Sequence, residues 1–263
     1  MKIVTLVKHV PDATGERSFA EDGTVDRAAA DGLLSELDEY AIEQSLQVAE
    51  SGGAGGEVEI VALTLGPDDA ADALKKALQM GATSGVHIND EALHGSDALA
   101  TSAVLAAAIG KLQPDLVVTG MSSTDGSMGV IPAMLAERLG WPAVTFGVDL
   151  KVDGTKVSIR RDGDVASQTI EAELPAVVSV TDQSGEARYP SMKGIMAAKK
   201  KPVEQWDLAE LGVDPSTVGL AAAYTKVTDT TPRPPKEAGK QVTDEDGSGA
   251  QALVDFLAAG KYI

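Results

Sequence analysis

The sequence contains no cysteine among its 263 residues. That excludes disulfides, thiolate-bound zinc, iron–sulfur clusters and a thiol nucleophile, so any redox chemistry requires a bound cofactor. Aromatic residues are scarce at 3%, which leaves the core to aliphatic and alanine side chains. Positive charge is also sparse: 22 Lys and Arg stand against 40 Asp and Glu, for a formal net charge of -18. Such a balance repels phosphate backbones, arguing against a nucleic-acid polymer and for a protein partner with a basic docking face. No window approaches the roughly 20 apolar residues of a membrane span. The opening Met1 to Val10 is strand-like and lacks a signal-peptide cleavage pattern, so a cytoplasmic protein without membrane insertion is expected. The length permits one large domain or one domain with an appendage, and the second is favoured.

What is present is an alternation of short apolar runs and amphipathic stretches. Lys2 to Lys8 reads as a buried strand ended by Pro11, with Ile3, Val4, Leu6 and Val7 suited to a sheet covered on both faces. The polar stretch Asp12 to Asp31 carries turn signals and holds either a small hairpin or an ordered loop. Leu34, Leu37, Ala41, Ser45 and Val48 recur at helical spacing and stop at Ser51-Gly52-Gly53. Glu57 to Leu65 is a second strand, Asp68 to Met80 a helix ended by Gly81, and Ser84 to Ile88 a third strand. Ser96 is a candidate cap for a helix running to about Leu112, and Asp115 to Thr119 is a strand ending at Gly120. This repeated β-α-β pattern predicts an α/β, Rossmann-like, mainly parallel sheet flanked by helices, with ligands at the carboxyl ends of its strands, marked by Leu6, Leu65 and Gly120. Val144 to Val152, Lys156 to Arg161 and Ser167 to Leu174, joined by Asp-Gly turns, predict an additional antiparallel section. Ala176 to Val180 is another buried strand. Thr228 to Asp246 reads as an extended linker and about Ser248 to Ala259 as a short helix, an extended C-terminal arm. The expected organisation is thus an α/β domain over residues 1–227 and an arm over residues 228–263 that packs on a partner.

The strongest local feature is the run from Gly120 to Gly129, which follows a strand and enters the apolar helix Val130 to Leu139. Small residues permit close backbone approach, hydroxyls donate to phosphate oxygens, and a helix N-terminus offers unpaired N–H groups. The residues admit either a nucleotide or phosphate site or an ordinary Gly/Ser connection. The run lacks the Lys-Ser/Thr ending of a P-loop, which argues against NTP hydrolysis. Asp38, Glu39 and Asp125 could form a carboxylate pair or metal site, but acidic residues are abundant and favoured in first helical turns. His9, His87 and His94 lack ligand-like spacing, and no nucleophile with a base stands out. A second feature, Arg188 to Lys201, combines two Met and an Ile with a Lys run. It reads as internal packing beside a solvated charged face, or as an adaptable docking loop.

Taken in order, these pieces resemble the small, or beta, subunit of electron-transfer flavoproteins over nearly the whole chain. The resemblance rests on Val4-Thr5-Leu6-Val7-Lys8-His9-Val10-Pro11-Asp12, Asp38-Glu39-Tyr40-Ala41-Ile42-Glu43, Leu65-Gly66-Pro67, Ala77 to Ala82, Leu174-Pro175-Ala176-Val177-Val178 and, most specifically, Arg188 to Lys201. It implies an electron-carrier subunit without catalytic residues of its own. Its large (alpha) partner subunit would hold most of the FAD, and this chain would bury one structural AMP. The implied nucleotide contacts are Leu6, Ser35, Glu36, Leu37, Asp38, Leu65, Ser123, Thr124, Asp125, Gly126, Ser127, Met128, Gly129, Val130, Ile131, Pro132, Ala133 and Met134. Residues 188–201 resemble the family's recognition loop, implying docking through Tyr189, Pro190, Ser191, Met192, Ile195 and Met196 to acyl-CoA and other dehydrogenases. Met192 occupies the anchor position, where Leu is common. Electrons would then pass to a quinone oxidoreductase. Many relatives carry an Asn-Pro turn where this chain has Ser35-Glu36-Leu37. Bifurcating relatives with a second FAD typically read Asp-Gly-Asp-Thr-Ala-Gln-Val in the loop, whereas Ser127, Met128 and Val130 stand here, favouring AMP. The rival readings are a bifurcating subunit with its own FAD and a free-standing universal-stress-like nucleotide-binding protein.

Overall fold

The computed structural model describes all residues except 16, 232, 233, 235–237, 240, 245 and 246. It divides into two compact units, Met1–Thr228 and Asp229–Ile263. In the first, the chain runs through β1 (Lys2–Leu6), the short β2 (His9–Pro11) and β3 (Gly32–Leu34), α1 (Glu36–Ser51), β4 (Glu59–Leu65), α2 (Ala71–Met80), β5 (Ser84–Ile88) and α3 (Ala98–Leu112). It continues with β6 (Leu116–Gly120), α4 (Ile131–Leu139), β7 (Ala143–Asp153), β8 (Lys156–Asp162), β9 (Ser167–Glu173) and β10 (Ala176–Val180). The unit closes with α5 (Met192–Ala198), β11 (Val203–Trp206) and the one-turn α6 (Gly219–Ala222).

Nine strands form one sheet in the order β11-β5-β4-β1-β6-β10-β7-β8-β9. The neighbours from β11 to β7 pair in parallel, and β7-β8-β9 are antiparallel. The expected Rossmann-like fold and its antiparallel extension are therefore present. Strand side chains alternate between two cores, as a sheet covered on both faces requires. Ile3, Ile60, Ala62, Leu116 and Val118 pack with Ile42, Leu46 and Leu74 of α1 and α2. Val4, Val61, Leu63 and Val117 pack with Val104, Ile109 and Leu135 of α3 and α4. In β7, Val148, Leu150 and Val152 are buried between exposed Asp149 and Lys151, the period-two pattern of a half-covered strand.

Several boundaries differ from the sequence reading for identifiable reasons. Leu34 is buried but lies on β3, which pairs antiparallel with β2, so the first helix starts only at Glu36. Gly52 ends that helix in the left-handed conformation at φ 75°. The cap of α3 is Asp97, whose side chain accepts the Ala100 N–H at 3.0 Å. Ser96 instead accepts the Gly219 N–H at 2.8 Å. Residues 188–201, read as a loop, contain the helix α5, capped by the Ser191 hydroxyl on the Gly194 N–H.

The second unit carries α7 (Ser248–Ala259), none of whose residues is buried. Part of the expected linker, residues 232, 233, 235–237, 240, 245 and 246, lies outside the described residues; those described over 229–244 belong to no helix or strand. Among the described residues no helix is long and apolar enough to cross a membrane.

Candidate functional site

Strand β1 has β4 on one side and β6 on the other. The chain proceeds from β1 outward through β4 and β5, then returns across β1 to β6. This reversal opens a crevice at the carboxyl ends of β1 and β6, the position where doubly wound sheets collect ligands. Three segments meet there: residues 7–8 after β1, the start of α1, and the loop of residues 121–130 after β6.

Gly120 sets their separation. A Cβ on it would stand 2.7 Å from the Leu37 carbonyl oxygen and 2.8 Å from Asp38 Oδ1, so only glycine lets α1 seat against the end of β6. Asp38 is buried at the start of α1 and accepts the Lys8 backbone N–H at 2.8 Å and the Gly120 N–H. Burial pushes its carboxyl up to about 7, with the nearby Asp125 charge adding to the rise. The two backbone donors and the Lys8 charge resist that rise without cancelling it. Ser35, fully buried, precedes α1 but does not cap it; its hydroxyl accepts the Thr124 N–H at 3.3 Å, tying helix to loop.

Asp125 occupies the centre of the loop with its side chain only 4% exposed. Its Oδ1 receives Lys8 Nζ at 2.8 Å and the Gly126 N–H at 2.7 Å, while Oδ2 receives Arg27 at 2.8 Å. Burial opposes ionisation, but Lys8, Ser123 and Arg27 together hold this carboxyl well below the usual range. Lys8 Nζ also reaches Ser123 Oγ at 3.3 Å, and Arg17 donates to the Thr124 carbonyl at 3.1 Å. Three cations therefore converge on residues 123–125 of a strongly acidic chain. Ser127 and Gly129 adopt left-handed backbone at φ 53° and 65°, turning the loop into α4. No side chain caps that helix, and Pro132 in its first turn has no N–H to satisfy.

Ser35 is thus joined directly to Thr124, Ser123 and Asp125 share Lys8 Nζ, Asp38 reaches them through Lys8, and Leu37 lies with its carbonyl against Gly120. Leu6 ends β1 two residues before Lys8. Leu65 ends β4, on the far side of β1 from the loop. Glu36 is exposed, as are Gly126, Ser127 and Met128 at the loop tip; Val130, Ile131, Pro132, Ala133 and Met134 lead into and form the first turn of α4. Sequence reasoning did not select Lys8, Arg17 or Arg27. The available signal was three cations close to the first strand end of a chain poor in positive charge. Glu39 pairs with Lys76 at 3.7 Å, and no acidic or histidine cluster among the described residues could hold a metal ion.

Both Asp125 oxygens are engaged by Lys8 and Arg27, so this carboxylate serves as an ion-pair partner in that donor set. Toward an anion such as a phosphate monoester the site can offer the charge of Lys8 and Arg27, both paired with Asp125, and the backbone N–H groups at the uncapped start of α4.

The second feature lies elsewhere on the unit. Tyr189, Met192 and Met196 are 90%, 77% and 60% exposed. The two Met, four residues apart on α5, share one helix face. Pro190 and Ile195 are half-buried, and Ser191 is exposed while its hydroxyl caps the helix, so four of the six proposed docking residues are exposed and two are half-buried. Lys76 Nζ lies 5.7 Å from the Tyr189 ring.

Fold and site together define a doubly wound α/β protein with cations gathered around the loop at its topological switch point. A family model, the electron transfer flavoprotein domain, matches residues 22–211. An electron transfer flavoprotein subunit beta from Mycobacterium leprae is 47% identical over 264 residues, covering 99% of each chain. One from Megasphaera elsdenii is 32% identical, covering 97% of this chain and 96% of its own. The caffeyl-CoA reductase-Etf complex subunit CarD of Acetobacterium woodii is 32% identical, covering 92% of each. The chain belongs to the electron transfer flavoprotein family, among relatives named as beta subunits.

Proposed function

We propose that this chain is the small subunit of a heterodimeric electron carrier, which takes electrons from dehydrogenases such as acyl-CoA dehydrogenases and delivers them to a quinone oxidoreductase. FAD, held mainly by a large partner subunit, supplies the redox chemistry. This chain buries an AMP at the β1–β6 crevice and presents residues 188–201 to electron donors. The convergence of Lys8, Arg27 and the Ser123 hydroxyl on the loop before α4 carries the AMP assignment. Lys8 and Arg27 bind the phosphate, Ser35 holds the loop against the start of α1, and Asp38 and Gly120 seat α1 against the ends of β1 and β6. The arm of residues 229–263 packs on the large subunit; Leu253, Val254 and Phe256 of α7 are exposed within this chain and suit such a contact.

A second reading, a bifurcating subunit that binds its own FAD, is favoured by the relatives named as parts of reductase complexes. It is opposed by Ser127, Met128 and Val130 in the loop. The deciding experiment is to purify the chain with and without its large subunit, denature each sample, and identify released nucleotides by mass spectrometry. One AMP on this chain and one FAD per heterodimer are expected. Two FAD and no AMP would replace the proposal with the second reading, and a stable lone homo-oligomer carrying ATP would overturn both.

A further inference from the structure

We infer that Arg188 is a positioning residue that locks the docking segment onto α1, so that Tyr189, Met192 and Met196 are presented in a fixed arrangement before a partner arrives. The inference rests on the docking reading of residues 188–201 given above. Glu43 and Glu50 lie two helical turns apart on α1 and therefore face the same way. The Arg188 guanidinium spans both. Its Nε and one terminal nitrogen donate to Glu43 at 2.6 and 3.0 Å, and its two terminal nitrogens donate to Glu50 at 2.6 and 3.0 Å. The Arg188 backbone N–H adds a third bond to Glu43 at 3.1 Å. Glu43 is itself held by Gln47 at 3.0 Å, and its side chain is only 8% exposed.

Two further contacts pin the same segment to α2. Gly194 lies so close that a Cβ would stand 2.5 Å from the Gln79 carbonyl oxygen, and Lys201 Nζ donates to the Leu78 carbonyl at 2.7 Å. The segment is thus fixed at its start, middle and end to two core helices while Tyr189, Met192 and Met196 face solvent. Seven residues is a short helix, and its only internal side-chain cap is Ser191. Its placement must therefore come from these tertiary contacts. Fixing a docking surface in advance spares the ordering cost on association. The planar fork of Arg matches two carboxylates at once, a geometry that the single ammonium of Lys cannot reproduce.

The test uses the FAD-loaded heterodimer as acceptor for an acyl-CoA dehydrogenase supplied with its acyl-CoA, with heterodimer concentration varied. Arg188→Gln, Arg188→Lys and Glu50→Gln are compared with Met192→Ala. The expected result is a KM raised about fivefold to tenfold in both Arg188 variants, with kcat within about twofold and FAD content unchanged. Glu50→Gln, which removes the exposed half of the clamp alone, gives a smaller rise in KM. A raised KM in Met192→Ala with normal KM in the Arg188 and Glu50 variants would overturn the clamp while leaving the docking reading intact. A normal KM in Met192→Ala would overturn the docking reading itself. Parallel loss of FAD and kcat in Arg188→Lys and Glu50→Gln would make the cluster a folding element and overturn the inference.

Discussion

Asp38→Asn isolates the proton held at the meeting point of β1, β6 and α1. The native carboxyl keeps its proton up to about 7, whereas its ordinary value is 3.8. Between those values the folded state binds a proton that the unfolded state has released. The stabilisation is therefore complete below about 4, declines as pH rises toward 7, and stays at its lower level above that. Holding the proton from about 4 to about 7 is worth at most about 4 kcal/mol, of which about 2–3 kcal/mol falls between pH 5 and pH 8. Asparagine removes the titration while keeping the shape. It offers one acceptor where the carboxylate offers two, a cost that does not change with pH. The quantity to read is thus the change in the gap between wild type and variant. Wild type should lose about 2–3 kcal/mol relative to Asp38→Asn on going from pH 5 to pH 8, or about 5–10 °C in relative Tm for a chain of this size. Calorimetric melting of both heterodimers at matched protein and nucleotide concentrations supplies the comparison. A gap constant to within about 0.5 kcal/mol across that range would refute the burial argument, because it would mean that Asp38 does not change its charge there on unfolding.

The two cores and the Gly120 contact lead to further expectations. Gly120→Ala should push the start of α1 off β6, costing about 1–3 kcal/mol by overpacking and lowering nucleotide content. Gly110→Ala, in an exposed part of α3 with nothing within 4 Å of its Cβ position, should stabilise by about 0.5–1 kcal/mol. Equal effects of the two in thermal melts would show that Gly120 is not sterically required. Leu63→Ala, at a fully buried position facing α3 and α4, should cost about 2–5 kcal/mol in chemical denaturation. A cost below about 1 kcal/mol would show those helices relaxing onto the sheet and closing the cavity.

The strands and helices that could be read from sequence are those whose signal is local. Ile3-Val4 and Leu116-Val117-Val118 are apolar on both faces because both faces are covered, and α2 shows its stripe through Leu74, Ala77 and Leu78. The misread features are those where two locally adequate answers were separated by distant partners. Ser96 and Asp97 both suit a helix cap; the Gly219 N–H, 123 residues away, engages Ser96 and leaves Asp97 for α3. Val203-Glu204-Gln205-Trp206 has no alternation to mark a strand, yet it pairs with β5 because an edge strand's unpaired backbone groups favour an added partner. The crevice follows the same logic. The Gly/Ser loop was visible as a candidate because its conformation is encoded in neighbouring residues. Its charge was not, because Lys8 and Arg27 reach Asp125 across 117 and 98 residues of chain. Composition gives a chain poor in positive charge, and topology gathers three of its few cations at one switch point. A net charge therefore excludes extended polyanions more securely than it excludes a single phosphate. Asp125, one acidic residue among 40, matters here because it holds those two cations over the crevice.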